Sequence, residues 1–311
     1  MRWRRRLSNR AKATRRTPIN PCQASVDSEI SRRRFLTNAA VGLSGFALTR
    51  EPAAADPTTE PDRRLAHRPS GPTPLFNGRN LDGLYSWLLD STFKDPKNVF
   101  TVRDGLLCIS GEEFGYIATR KSYRDYHLIA EFKWGEKIFG NPRTVRNSGI
   151  LMHATGPDGN RPPWMASIEC QLAQGCVGDF IVIRDKHTKT PFIPVRMTSD
   201  TTMGVDGRTR WRKGGKATKY SGRQFWWSKH DPQFKEGIDT HGRWDVESPL
   251  GEWTRIECVC AGDRITVIVN GVTVNECYDV WPSAGKILLE VEGYEILFRK
   301  LELHPLKQEY K

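Results

Sequence analysis

The sequence has no long hydrophobic run and no sustained helical pattern. Its longest weakly apolar stretch near the amino terminus, residues 39–48, is about half of what a helix needs to cross a bilayer. A retained anchor at this stretch is the less favoured interpretation, and the chain after residue 55 offers no candidate span. Apolar residues at the 3.6-residue period are also missing from that part over any useful length. We therefore expect no transmembrane span in the mature chain and no α-helical fold.

Acidic residues are scarce at the amino terminus. Residues 1–55 hold eleven Arg and one Lys against three acidic residues, which accounts for nine of the twelve net positive charges. The motif SRRRFL at residues 31–36 is typical of a twin-arginine export signal, and AAA at residues 53–55 of its cleavage site. We therefore predict an exported protein, periplasmic or in the cell envelope. Since the later chain lacks a basic–aromatic stripe, we expect no nucleic-acid partner.

No cysteine pair has the C-x-x-C spacing of a metal site. Cys258 and Cys260 lie two apart in a strand pattern, so both point toward the core with Ile256. We predict reduced, buried cysteines, which behave as small hydrophobic residues. A Cys170–Cys176 disulfide is the alternative that the sequence leaves open.

Period-2 alternation between glycine-containing turns dominates the chain after residue 73. Asp104-Gly105 and Asn270-Gly271 each separate two apolar runs, as in two-residue hairpins. The pattern predicts an all-β fold, a jelly-roll sandwich of two antiparallel sheets over residues 74–311. Residues 56–73 are predicted to be a disordered linker. The aromatic-rich residues 186–248 form either a rim or lid over the sandwich or short extra strands.

One stretch, residues 146–185, concentrates polar side chains on predicted strands. Alternation places His153 and Leu151 on the face opposite Ile150, Met152 and Ala154. In the next strand, Glu169 and its polar neighbours point away from Ile168, Cys170 and Leu172. Asp179 opens a third run that is apolar on both faces. We expect His153, Glu169 and Asp179 to lie at or near one sheet surface, which is the candidate site.

Six motifs occur in the order seen in one family: LFNGRNLDG, GYIATRKSYRDYHLIAEFKW, NSGILMH, SIECQL, GEWTRIECVCAGDRITVIVNG and GKILLEVEGYEILFRKLEL. Over about Pro74 to Leu306 the chain resembles the 3-keto-disaccharide hydrolase domain, also described as 3-keto-glucoside 1,2-lyase/3-keto-2-hydroxy-glucal hydratase-like. The resemblance implies a concanavalin/glucanase-like jelly roll that acts on glycosides carrying a ketone at carbon 3. A base would remove the C2 proton, the C1 substituent would leave, and water would add to the double bond.

The family's motifs fall on Glu169 and beside His153, and the strand pattern adds Asp179, so these three are the candidate catalytic residues. The candidate substrate-binding residues are Asn147, Gln171, Trp164, Trp227, Lys229 and Glu292. No cofactor is implied with certainty, and a divalent metal ion held by His153, Glu169 and Asp179 is an alternative. The expected partner is a 3-keto sugar or another glycan.

Two other functions remain open at this point. A retaining glucanase on this fold would carry Glu-x-Asp-x-x-Glu on one strand, but Glu169 is followed by Cys-Gln-Leu-Ala-Gln. A single Glu beside a Gln suits proton abstraction better than double displacement. The non-enzymatic alternative is a lectin-like carbohydrate-binding module, because a polar, aromatic sheet face serves binding as well as catalysis.

Overall fold

The structure is a computed structural model that describes residues 63–141, 144–160, 163–184, 193–220 and 224–308. The predicted export signal, its cleavage site and residues 56–62 of the predicted linker lie outside the described residues. All described residues fall within one compact unit, Leu43–Lys311. None of their helical turns is both long and apolar enough to span a membrane.

Seventeen strands build the described part of the chain. In chain order they are β1 (Thr73–Pro74), β2 (Leu84–Leu88), β3 (Phe100–Arg103), β4 (Leu106–Ile109), β5 (Gly115–Thr119), β6 (Tyr126–Ile138), β7 (Gly149–Thr155), β8 (Ala166–Gln171), β9 (Phe180–Ile183), β10 (Arg196–Met203), β11 (Thr209–Trp211), β12 (Lys216–Lys219), β13 (Thr254–Ala261), β14 (Arg264–Val269), β15 (Val272–Trp281), β16 (Lys286–Val291) and β17 (Tyr294–Pro305).

The strands form two antiparallel sheets. The eleven-stranded sheet has the order β11-β10-β15-β14-β13-β6-β17-β4-β3, with β1 beside β17 and β12 beside β10. The six-stranded sheet has the order β2-β5-β16-β7-β8-β9. This arrangement confirms the predicted all-β, concanavalin/glucanase-like jelly-roll sandwich.

The two predicted hairpins are confirmed by their turns. Asp104 and Gly105 have φ values of 51° and 78° between β3 and β4. Asn270 and Gly271 have φ values of 47° and 81° between β14 and β15. Two successive left-handed residues are what a type I′ turn requires, and Asn, Asp and Gly tolerate that conformation best.

The main core lies between the sheets. Ile168, Cys170 and Leu172 enter it from the β8 side, and Cys258 and Cys260 enter it from β13, as the alternation predicts. All six described cysteines are buried thiols, and none forms a disulfide with another described cysteine. A second apolar cluster covers the other face of the six-stranded sheet, which we call its outer face. It includes Tyr116, Leu151, Trp164, Ile181 and Leu288.

Residues 63–73 differ from the prediction of a disordered linker. The Arg63 guanidinium lies 2.9 Å from the Asp125 carboxylate and donates to the backbone oxygen of Ser283 at 3.0 Å. The amide of His67 donates to the Ser122 oxygen at 2.8 Å, and β1 pairs with β17. These contacts fix the segment against the sandwich. The polar composition that suggested disorder did not reveal them, because each partner is distant in the sequence.

We call the aromatic-rich residues 186–248 the insert. Its described part divides into two kinds of structure. Strands β10, β11 and β12 extend the eleven-stranded sheet, whereas residues 224–253 pack without regular strands. The prediction of short extra strands is therefore confirmed for β10, β11 and β12. Trp227, which is 1% exposed, anchors the irregular part in the main core.

Candidate active site on the outer face of the six-stranded sheet

Three adjacent strands, β16, β7 and β8, bring two carboxylates together. Leu289 pairs with Ile150, so Glu290 lies across from Gly149, the next residue along β7. On the other side of β7, Leu151 pairs with Glu169. Because alternate residues share a face of a sheet, Glu169 and Glu290 both project from the outer face.

Gly149 provides the space that the two carboxylates occupy. A Cβ at this position would lie 2.5 Å from Glu290 Oε2 and 2.9 Å from Glu169 Oε1. The two oxygens are therefore no farther apart than the sum of those distances. The φ of Gly149 is not in the left-handed region, so glycine is required here for space rather than for backbone conformation.

A third carboxylate, Glu292, continues this group just past the end of β16. The Asn147 side-chain amide donates a hydrogen bond to Glu292, and Ser148 Oγ donates to the backbone oxygen of Glu290 at 2.9 Å. Asn147 and Glu292, both predicted as substrate-binding residues, are thus in direct contact. We call Glu169, Glu290 and Glu292 the carboxylate group.

Burial changes the protonation of this group. Desolvation raises the pKa of Glu292 to about 8. The pKa of Glu290 is raised well above its usual value, first by burial and then by the charges of Glu169 and Glu292. Among the described residues, Glu290 Oε1 and Asn147 Oδ1 have no hydrogen-bond partner. At neutral pH Glu292 is therefore mostly protonated, and the group also presents polar atoms that a ligand can use.

A network of phenols extends from the carboxylate group along the same face. Tyr116 pairs with Glu290 across β5 and β16, and its hydroxyl donates to Asp158 Oδ1 at 2.5 Å. The Tyr85 hydroxyl donates to the same oxygen at 2.6 Å. Lys286 Nζ donates in turn to Tyr85 Oη at 2.6 Å. Desolvation raises the pKa of both tyrosines and lowers that of Lys286.

This network borders an open cleft of about 360 Å³. Its lining combines aromatic, charged and polar side chains: Tyr85, Ser86, Phe93, Arg120, Asp158 and Lys286. Phe93 is 62% exposed, so its ring is available for contact with a ligand. An exposed aromatic ring beside a few fixed polar groups is the usual composition of a small-molecule site.

His153 does not lie on the same sheet face as Glu169. The prediction that the two side chains line one surface is therefore wrong. A β-bulge interrupts β7 after Met152, and His153 has a φ of 56°. Its ring therefore turns inward, 5.7 Å from the Tyr126 ring, and its Nδ1–H donates to the Pro282 oxygen at 3.0 Å. The extra residue also moves Ala154 to the outer-face cluster, whereas Ile150 and Met152 stay in the main core.

Asp179 is fully buried and holds the insert in place. It accepts a hydrogen bond from the Trp227 amide at 2.6 Å and another from the Gln224 side chain. Burial raises the pKa of Asp179 well above its usual range, against the effect of these two donors. Trp227 itself packs in the main core. His153, Glu169 and Asp179 are therefore not arranged around one metal position.

The other three predicted binding residues lie in different environments. Gln171 follows Glu169 on the same strand face, and its Oε1 accepts a hydrogen bond from the Leu172 amide at 3.1 Å. Trp164 packs in the outer-face cluster. Lys229 is exposed and lines a separate depression with Val205, His230 and Trp244.

Sequence reasoning did not select Glu290, Tyr85, Tyr116, Asp158 or Lys286. A signal for Glu290 was present, because a carboxylate within the apolar run KILLEV is unusual for a buried strand. The contribution of Asp158 depends on a loop that meets two strands distant in the sequence, and no local pattern encodes that contact.

Residues 71–304 match the family described as the 3-keto-alpha-glucoside-1,2-lyase-like domain. The chain belongs to this family, which is a carbohydrate-related one. No curated protein sequence matches the chain significantly.

Several solved structures are similar to the chain. Two are each described as a "putative glycosyl hydrolase" from Parabacteroides distasonis. One is 18% identical, covering 76% of this chain and 94% of its own, with a TM-score of 0.46. The other is 20% identical, covering 76% and 99%, with a TM-score of 0.41. The carbohydrate-binding module CBM66 from Bacillus subtilis is 13% identical, covering 71% and 95%, with a TM-score of 0.38. Because these identities are low, only the family and the site geometry bear on function.

Proposed function

We propose that the chain cleaves 3-keto-glycosides by removing the proton at C2, eliminating the C1 substituent and hydrating the resulting double bond. The main observation behind this proposal is that the Glu169 and Glu290 carboxylates lie close together in the space left by Gly149. A ketone at C3 acidifies the C2 proton, because the charge left behind spreads onto the ketone oxygen. The reaction therefore needs a base, an acid and a donor to that oxygen.

The carboxylate group can supply all three roles. Glu169 acts as the base at C2. Glu290, kept protonated by burial and by its acidic neighbours, donates a proton to the leaving oxygen at C1. Glu292 is positioned by Asn147, and its pKa of about 8 keeps it protonated at neutral pH, so it donates a hydrogen bond to the ketone oxygen. Neighbouring carboxyls with different pKa values commonly divide acid and base roles in this way.

The cleft offers a place for the rest of the substrate. Lys286 and Glu290 are four residues apart on β16, which is about 13 Å at ~3.3 Å per residue. A sugar ring bound over Tyr85 and Phe93 would therefore be joined to the reacting ring through a short oligosaccharide or an extended aglycone. The Arg120 and Lys286 cations would contact its hydroxyl oxygens.

The same pair of carboxylates favours a second candidate, direct hydrolysis of ordinary glycosides. Two carboxyls about 5–5.5 Å apart are what a retaining glycosidase uses. A lectin-like module remains the non-enzymatic alternative. We further propose, from the twin-arginine motif, that the protein acts after export to the periplasm or cell envelope.

A turnover assay separates these functions. We expect the purified protein to release the aglycone from a 3-keto-glucoside and to leave the unoxidised glucoside intact. Glu169→Gln and Glu290→Gln should each lower kcat by about 10²–10⁴-fold while substrate binding persists. The control is Glu302→Gln, which removes a carboxylate bound to Lys300 and His304 on β17. Equal release from both glucosides would favour direct hydrolysis, and binding without any release would favour the lectin.

A further inference from the structure

Outside the carboxylate group, one turn of the insert collects three side chains that commonly bind metals. His241, Asp245 and Glu247 place one donor atom each within 4.8 Å of one another, and they are the one such group among the described residues. His241 Nδ1 lies 2.9 Å from Asp245 Oδ2 and 3.7 Å from Glu247 Oε2. Donor atoms about 2.1 Å from a tetrahedral zinc ion are about 3.4 Å apart, between these two values.

Glu247 adds an independent sign of a missing ligand. Its side chain is 1% exposed, and its Oε1 accepts a hydrogen bond from Trp134 Nε1 at 2.7 Å. Its Oε2, which points toward His241, has no hydrogen-bond partner among the described residues. A buried carboxylate oxygen without a donor is costly unless a cation or a proton neutralises it.

We infer that His241, Asp245 and Glu247 bind a divalent first-row transition ion such as Zn²⁺. Two carboxylates and a neutral imidazole balance the charge of such an ion and form a mixed nitrogen and oxygen donor set that suits it. The His241 side chain is 27% exposed, so the ion can enter from solvent and retain a water ligand. This inference is independent of the proposed reaction.

The site is connected to the carboxylate group through Asp239. The Asp239 carboxylate accepts hydrogen bonds from Arg146 Nε at 2.7 Å and from Gln174 Nε2 at 3.3 Å. Arg146 directly precedes Asn147, the residue that contacts Glu292. Asp239 is two residues before His241 in the sequence, so a bound ion would hold the chain next to the Asp239–Arg146 ion pair.

The test uses untagged full-length protein that has been treated with a chelator and dialysed. We expect isothermal titration to show one Zn²⁺ bound per chain. A concentration of Zn²⁺ 100-fold above Kd should raise Tm by about 5–10 °C. Glu247→Gln keeps an oxygen acceptor for Trp134 and should therefore fold, but it should weaken binding by at least about 100-fold. Asp245→Asn should behave in the same way.

The matched control is His304→Ala, which removes a histidine that contacts a single carboxylate, Glu302, at 2.8 Å. This variant should bind Zn²⁺ as tightly as the wild type. Absence of stoichiometric Zn²⁺ binding to the wild type would overturn the inference, since the three side chains would then be only a hydrogen-bonded cluster. Undiminished binding by folded Glu247→Gln and Asp245→Asn would overturn it as well. The Co²⁺-substituted wild type provides a measurement without mutation, and its visible absorption should show nitrogen and oxygen ligation in a low-symmetry site.

Discussion

Glu290 faces Glu169 across Gly149, and both carboxylates use the space that a side chain on Gly149 would fill. The three residues belong to three adjacent strands, so the pair depends on strand register rather than on a local motif. Register in a sheet with two buried faces is strongly specified, because a shift by one residue would exchange the faces. The fold therefore holds the two carboxyl groups together, and burial and the charge of Glu169 raise the pKa of Glu290.

Gly149→Ala should disable the site while leaving the fold intact. The added methyl would push at least one carboxylate aside, and a displacement of about 1 Å can cost about 100-fold in rate. Overpacking should also lower the free energy of unfolding by about 1–3 kcal/mol. Steady-state kinetics and urea denaturation measure the two effects. Gly71→Ala is the matched control, because a Cβ there has nothing within 4 Å. Unchanged kcat in Gly149→Ala would contradict the geometry.

Glu292 should make the wild type less stable as pH rises. Its carboxyl has a pKa of about 8 in the folded chain, above the usual value of 4.5. Between these values the folded state keeps a proton that the unfolded state releases, so the free energy of unfolding falls by up to about 1.4 kcal/mol per pH unit. Below pH 4.5 both states are protonated and the effect vanishes.

Glu292→Gln should remove this contribution, so the variant gains stability relative to the wild type between pH 5 and pH 8. Urea denaturation at several pH values measures the difference. Glu302→Gln serves as the control, because nearby cations lower the pKa of Glu302 against its partial burial. Its stability relative to the wild type should not change in that pH range. Parallel curves for the wild type and Glu292→Gln would show that Glu292 is ionised in the folded protein.

His153 should prove structural. His153→Ala loses an edge-to-face contact with Tyr126 and a hydrogen bond to Pro282, and it places alanine at a φ of 56°. We expect a loss of about 2–3 kcal/mol in unfolding free energy, with kcat of the folded fraction within about threefold of the wild type. Glu169→Gln should show the reverse, a large loss of kcat at normal stability. A stable His153→Ala protein with kcat lowered 100-fold would restore the catalytic interpretation.

Asp179→Asn should weaken the attachment of the insert, because Asp179 accepts hydrogen bonds from Trp227 and Gln224. Its side-chain amide can no longer accept from both the Trp227 amide and Gln224, so one buried donor loses its acceptor at a cost of about 1–3 kcal/mol. Tryptophan fluorescence should report faster local exposure of Trp227, and denaturation should report the lower stability. Unchanged stability would mean that the carboxyl is already protonated and that its hydrogen bonds contribute little.

The alternation of apolar and polar residues was sufficient to predict the sandwich and the face on which Glu169 lies. It placed Glu169 opposite Ile168 and Cys170 correctly, and the Asn-Gly and Asp-Gly hairpins followed from turn chemistry alone. It failed at His153, because a bulge adds one residue and exchanges the faces that follow. Bulges depend on packing against the neighbouring strand. Here a Cβ on Gly285 would lie 2.4 Å from the His153 carbonyl carbon, so glycine is required at that position.

Local sequence patterns could not predict the rest of the site, which includes Glu290 and Asp158. Glu290 and Glu169 are separated by more than a hundred residues, and only strand order makes β16 and β8 flank β7. Asp158 joins Tyr85 and Tyr116 from a loop whose conformation no periodicity describes. The long-range order of strands therefore determined which polar residues meet.

Solvent deuterium shows directly whether a carboxylate removes the C2 proton. When a 3-keto-glucoside is turned over in D₂O, elimination followed by hydration should place deuterium at C2 of the product. NMR should show this incorporation with the wild type and not with Glu169→Gln. Turnover that leaves C2 without deuterium would contradict proton removal at C2 and would identify direct displacement at C1 instead.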